Sequence, residues 1–97
     1  MSIKVIVEFQ AKPGRRADLL QTLEAIIEKH GAGLSGYLGS TRYEVVDQPD
    51  MLVEIAEWES VEAQREHVTK AMATGAFAPL MELAAAPFKA TMIRPLG

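Results

Sequence analysis

The feature that most constrains this chain is the way its apolar period changes along 97 residues. Ile3, Val5, Val7 and Phe9 alternate with Lys4, Ile6, Glu8 and Gln10, a period of two that predicts a strand, closed by Pro13-Gly14. From Arg15 the period lengthens: Leu19, Leu20, Leu23, Ile26 and Ile27 recur at helical spacing and give one apolar face, which Gly31 and Gly33 stop. Period two returns over Gly36 to Val46 and Met51 to Glu59, and the turn-forming Asp47-Gln48-Pro49-Asp50 between them predicts a hairpin. Ser60 then stands as the N-cap of a second helix, with Glu62 near its positive end and Gly75 as its interruption. FAPLMELAAA resumes as a short helix that tolerates Pro79 in its first turn, Pro87 closes it, and FKATMIRPL reads as a fourth strand.

The resulting order, β-α-β-β-α-β, is the split βαβ or ferredoxin-like arrangement of the α+β class. It predicts an antiparallel four-stranded sheet with its helices on one face. The length suits a single domain over residues 1–97, with no internal repeat or linker. Several strands nevertheless carry apolar side chains on both faces: Ile6 opposes Val5 and Val7, and Val53 and Ile55 oppose Leu52, Ala56 and Trp58. Two helices cover only one face, so the other needs a second cover. A monomer of this length buries only about 60 to 65% of its unfolded surface. Both considerations predict a homodimer formed through the second sheet face.

Composition removes whole classes of chemistry. With 48% hydrophobic and 24% charged residues the chain is an ordinary folding sequence, not a disordered one. It contains no cysteine, which excludes disulfides, thiolate nucleophiles, cysteine-ligated zinc and iron-sulfur clusters. The net charge of -3, with lysines and arginines scattered, argues against nucleic acid as a partner. No uncharged apolar run is long enough for a membrane span, and the N-terminus has no leader pattern, so a cytoplasmic location is the expectation. There is no glycine-rich phosphate loop, hence no sequence support for a nucleotide cofactor. Metal is rejected as well, because Glu66 and His67 are helix neighbours that point apart and no paired-histidine spacing is present.

The chemistry that remains rests on His, Tyr, Trp, Arg and carboxylates. In EIAEWESVEAQREH, Trp58 ends a strand, Ser60 caps a helix and His67 follows nine residues after Trp58. Trp58 shares the parity of Leu52, Glu54 and Ala56, so if that parity faces the helices, Trp58 and His67 border one gap between sheet and helix. Strict alternation on strand two puts Tyr37 and Tyr43 on one face and Arg42 on the other. Arg42 and Arg94 are expected to pair with Glu8, Glu44, Glu54 or Glu57 across the sheet, and His30 to serve the negative end of helix one rather than catalysis. On residue type alone, His67 is as compatible with a helix surface or a satisfied core imidazole as with a site, and Trp58 with packing.

The same stretch resembles the antibiotic biosynthesis monooxygenase domain of the dimeric α+β barrel proteins, with its strand ending in E-x-W, capped turn and helix bearing histidine. KPGRRADLL, SGYLGSTRY and KATMIRPL resemble that domain's first turn and helix, its entry to strand two and its closing strand. The resemblance implies a cofactor-independent oxidoreductase that adds oxygen from O2 to an electron-rich phenol, hydroquinone or anthrone-like substrate. It implies His67 as catalytic base and Trp58, Tyr37 and Tyr43 as substrate-binding residues. Two alternatives stand beside it. One is a non-enzymatic, ligand-binding or stress-related dimer of the same fold. The other is a haem-degrading relative, which needs an asparagine on strand one; Val7 stands there, and the chain has no asparagine at all.

Overall fold

The computed structural model describes residues 2–30 and 33–96. Gly31, expected to help stop the first helix, lies outside the described residues. The elements follow the order β1 (Ile3–Gln10), α1 (Arg16–His30), β2 (Tyr37–Val45), β3 (Gln48–Trp58), α2 (Val61–Thr74), α3 (Ala78–Leu83) and β4 (Lys89–Ile93). The four strands form one antiparallel sheet in the order β2-β3-β1-β4. This is the ferredoxin-like arrangement, with each α-helical crossover spanning one intervening strand.

Register sorts the two faces of the sheet. Ile3, Val5, Val7 and Phe9 of β1 pair with Trp58, Ala56, Glu54 and Leu52 of β3, and all eight side chains point to the helices. Beneath α1 and α3, Phe9, Ala11, Leu19, Leu23, Leu52 and Leu80 are buried together. Towards α2, a second cluster gathers Ile3, Val5, Ala56 and Trp58, and Val7 packs against both. On the opposite face Ile6 pairs with Ile55, Tyr43 with Val53, and Ile93 lies beside Lys4. Nothing within the described residues covers this face: Tyr43 and Ile93 are 48% and 43% exposed.

Two local departures from simple alternation matter. Between Tyr37 and Gly39 the ladder with β3 shifts, so Leu38 is an extra residue in β2. Tyr37 is thereby turned to the helix face, where Arg42 also points, while Tyr43 lies on the outer face. The expected grouping of Tyr37 with Tyr43, opposite Arg42, is corrected by this bulge, because one inserted residue reverses parity for everything before it. The hairpin is also tighter than the four-residue turn expected. Val45 pairs with Gln48, leaving Val46 and Asp47 at the tip, and a register irregularity after Glu44 accommodates Pro49 beyond the end of β1.

α2 begins where its sequence marks it. Ser60 has extended backbone and its Oγ accepts a hydrogen bond from the Ala63 amide at 3.1 Å, satisfying one of the free donors of the first turn. Gly75 ends the helix in the left-handed region at φ 72°, and its amide donates back to the last turn. At the other side of the corner, Gly36 has φ 83°, and a Cβ built there would stand 2.6 Å from the Cβ of Ala63. A glycine is therefore required both by backbone and by the close approach of α2.

Candidate functional site

α1 packs on α3 and β3, and α2 packs on β3; between the two long helices, above the sheet, a cavity of about 280 Å³ remains. Its floor is Val5, Val7, Phe9, Glu54, Ala56 and Trp58 from the helix-facing rows of β1 and β3. Its sides are Leu23, Ile26, Ile27 and His30 from α1, and Gln64, His67, Val68 and Met72 from α2. Tyr37 and Phe77 complete the aromatic part of the wall. A concave, mostly apolar space with few polar groups is the usual form of a small-molecule site.

The corner between β3 and α2 positions the two most conspicuous rings. The capped first turn starts α2 directly after the strand, and His67, about two turns on, comes back over the strand end. The Trp58 and His67 rings lie 5.1 Å apart and stack at 27°. Trp58 is buried, Tyr37 lies tilted against it at 5.2 Å, and Phe77 meets His67 edge-on at 6.0 Å. The four rings form a continuous aromatic wall. Burial lowers the pKa of His67 from its ordinary value, and the positive potential of His30 adds to the effect. Both influences favour the neutral imidazole, the form that can accept a proton.

Polar groups cluster at the Tyr37 end. Tyr37 Oη donates to Ser40 Oγ at 2.7 Å, and Arg42 Nη1 donates to the same oxygen at 2.9 Å. Arg42 does not pair across the sheet with Glu8, Glu44 or Glu57; its Nε, buried and without a hydrogen bond, faces Glu24 of α1 at 3.6 Å. Those glutamates go elsewhere: Glu44 to Arg16, Glu8 to Lys89, and Glu57 accepts from Ser2. Glu54, paired in register with Arg42, faces the cavity, and burial raises its pKa against the opposing pull of Arg42 and Ser40.

Of the residues singled out from sequence, the cavity brings together His67, Trp58 and Tyr37. Tyr43 does not belong to it; it lines a shallow groove near Arg16, Arg42 and Asp50. His30, read only as a helix-end charge, lines the cavity opposite α2, and Phe77 and Glu54 were also missed. Glu54 had a visible signal, a carboxylate at an inward position between Leu52 and Ala56. Among the described residues no three potential metal ligands of the His, Cys, Asp and Glu types come together, and no helix is long and apolar enough to cross a membrane.

Comparison with known proteins places this geometry in context. A sequence profile described as antibiotic biosynthesis monooxygenase matches residues 2–78. No curated protein matches the sequence significantly. Among solved structures, Rv0793 from Mycobacterium tuberculosis is 27% identical, with a TM-score of 0.80 over 100% of this chain and 97% of its own. A conserved protein from Methanosarcina mazei Go1 is 19% identical, with a TM-score of 0.82 over 97% of this chain and 92% of that one. SnoaB, a cofactor-independent oxygenase from Streptomyces nogalater, is 16% identical and shares the fold with a TM-score of 0.82 over 99% of this chain and 94% of its own.

Proposed function

This chain belongs to the antibiotic biosynthesis monooxygenase family, and from that premise we propose that it is a cofactor-independent monooxygenase acting on an electron-rich aromatic such as a hydroquinone or anthrone. The observation that carries the reading is His67, stacked on Trp58 in the wall of an apolar cavity, where burial favours its neutral form. The volume, near the lower end of ordinary ligand pockets at roughly 300 Å³, suits a compact flat molecule. The fold shared with SnoaB, itself a cofactor-independent oxygenase, supports the same reading.

In this mechanism His67 takes a proton from the substrate. The resulting anion is a strong enough donor to pass an electron to O2, and recombination forms the new carbon-oxygen bond. The protein supplies a base, an aromatic wall and a largely apolar space. Trp58, Tyr37 and Phe77 give the cavity an aromatic wall that a planar substrate can pack against. We further infer that the working unit is a homodimer joined through the outer sheet face, where Ile6, Val53 and Ile55 lack a cover.

Oxygen uptake with dithranol, a dihydroxyanthrone, tests the reading. His67→Ala is expected to lower kcat by about 10² to 10⁴ with the fold intact, because a general base contributes that much. Trp58→Phe keeps an aromatic wall and should be milder. If His67→Ala keeps the wild-type rate to within about threefold, His67 is not the base. A wild-type protein that binds the anthrone but consumes no oxygen would instead be a binding protein.

A further inference from the structure

Apolar walls choose poorly among flat molecules of one size, whereas a fixed polar group set in such walls rejects a ligand that leaves it unpaired. Glu54 is such a group. Deepening the oxygenase reading above, on which it rests for the ligand being a substrate, we propose that the Glu54 carboxylate is the specificity determinant of the cavity. It accepts a hydrogen bond from a hydroxyl on the ligand, so that the site takes a hydroxylated, uncharged aromatic in preference to one without the hydroxyl.

The placement of Glu54 carries this. It is the one carboxyl group among the described cavity-lining residues, and it stands on the floor in the helix-facing row of β3. Val7 is its register partner on β1, and Ala56 follows it on that face, opposite Val5. Towards Trp58 the floor is therefore made of small or branched side chains, along which a flat ring can lie. The other polar groups of the lining stand elsewhere: His67 and Gln64 on α2, His30 on α1, and Tyr37 with its proton given to Ser40.

From the β2 side Glu54 is supported as an anion. Arg42 is its register partner there, and neither Arg42 nor Ser40 lines the cavity, so both act from outside that space. Ser40 Oγ accepts from Tyr37 Oη at 2.7 Å and from Arg42 Nη1 at 2.9 Å, which leaves its own proton for Glu54. These donors do not fill the carboxylate, which has about four acceptor positions. Ser40 supplies one donor, and the Arg42 guanidinium is engaged with Ser40 and faces Glu24 at 3.6 Å through Nε. Among the described residues Glu54 makes no direct ion pair. Burial makes an anion with so few donors costly, and a ligand hydroxyl relieves that cost without bringing a charge of its own. A cationic ligand suits the site less. Arg42 already opposes the charge of Glu54, and His30 and His67 in the same walls repel a cation when protonated.

2-Naphthol and 2-methylnaphthalene differ by a hydroxyl against a methyl of similar size, and neither has to be turned over to be measured. Their Kd values are compared by equilibrium dialysis in wild type, Glu54→Leu, Glu54→Gln and His67→Ala. The preference for 2-naphthol, taken as the ratio of the two Kd values, should fall by about tenfold to a hundredfold from wild type to E54L, the worth of a hydrogen bond to a charged acceptor. E54Q, which keeps a neutral acceptor, should fall between them, and His67→Ala should keep the wild-type ratio. Carbon NMR of protein labelled at the glutamate carboxyl carbon gives a second reading, with the Glu54 signal identified by its loss in E54Q. Bound 2-naphthol should move the titration of that signal to lower pH, because its donor favours the carboxylate, and 2-methylnaphthalene should not. A ratio unchanged in E54L, a Glu54 titration that 2-naphthol leaves in place or raises, or wild type that binds neither compound overturns the role of Glu54. If E54L or E54Q does not fold, the wild-type NMR titration decides the matter, with Glu54→Asp assigning the signal. A ratio that falls in E54L as expected, beside a wild type that consumes no oxygen with dithranol, upholds the recognition by Glu54 and overturns the oxygenase reading alone.

Discussion

Glu54 and His67 resist charge for the same physical reason, yet they bias stability in opposite directions as pH changes. A carboxyl whose folded pKa is raised from 4.5 binds its proton more tightly when folded, so the stability it contributes is complete below 4.5 and is lost as pH rises through the folded value. His67 is lowered from 6.5, so its contribution is complete above 6.5 and is lost as pH falls through its folded value. Urea denaturation of E54Q and His67→Gln across the acidic range separates the two. E54Q should gain on wild type as pH rises from about 4 towards neutrality, and His67→Gln should gain as pH falls below about 6.5. Curves for either variant that parallel wild type at every pH would show that the group does not titrate abnormally in the fold.

At the scale of elements, the corner between β3 and α2 and the entry to β2 are one construction. Gly36 meets Ala63 in the first turn of α2, and the Leu38 bulge follows immediately, turning Tyr37 towards Trp58. Gly36→Ala should cost about 1 to 3 kcal/mol, from left-handed strain and overpacking against Ala63. In that background Ala63→Gly should cost less than the roughly 1 kcal/mol expected for glycine in a helix, because it relieves the contact. A double-mutant cycle by urea denaturation reads the coupling, and strict additivity would mean that the two do not clash. The same region shows what a sequence discloses. The order of elements, the Ser60 cap and the helix-facing row ending in Trp58 follow from period and capping chemistry, which are local. The bulge at Leu38 is a compromise between β2 and its neighbour and leaves no mark in alternation, so the faces of Tyr37 and Tyr43 were misassigned. His30 was legible as a helix-end charge, but its place on the cavity depends on how α1 crosses the sheet.

For the molecule as a whole, the sheet divides an occupied face from an unoccupied one. Ile6 is central on the outer side, paired with Ile55 on β3 and Thr91 on β4. If two copies join there, Ile6→Asp buries an unpaired charge and should weaken association by roughly a hundredfold, about 2.7 kcal/mol, as measured by sedimentation on dilution. Wild type that sediments as a stable monomer at micromolar concentration would refute the pairing. Trp58 is the only tryptophan of the chain, so emission excited selectively on the indole, where the tyrosines do not absorb, originates in the cavity wall. A protonated imidazole stacked on an indole quenches it. Emission should therefore dim as acid charges His67, independently of any unfolding, and His67→Ala should abolish that step. A planar compound entering the cavity beside Trp58 would be seen by the same light, which makes the protein its own binding assay.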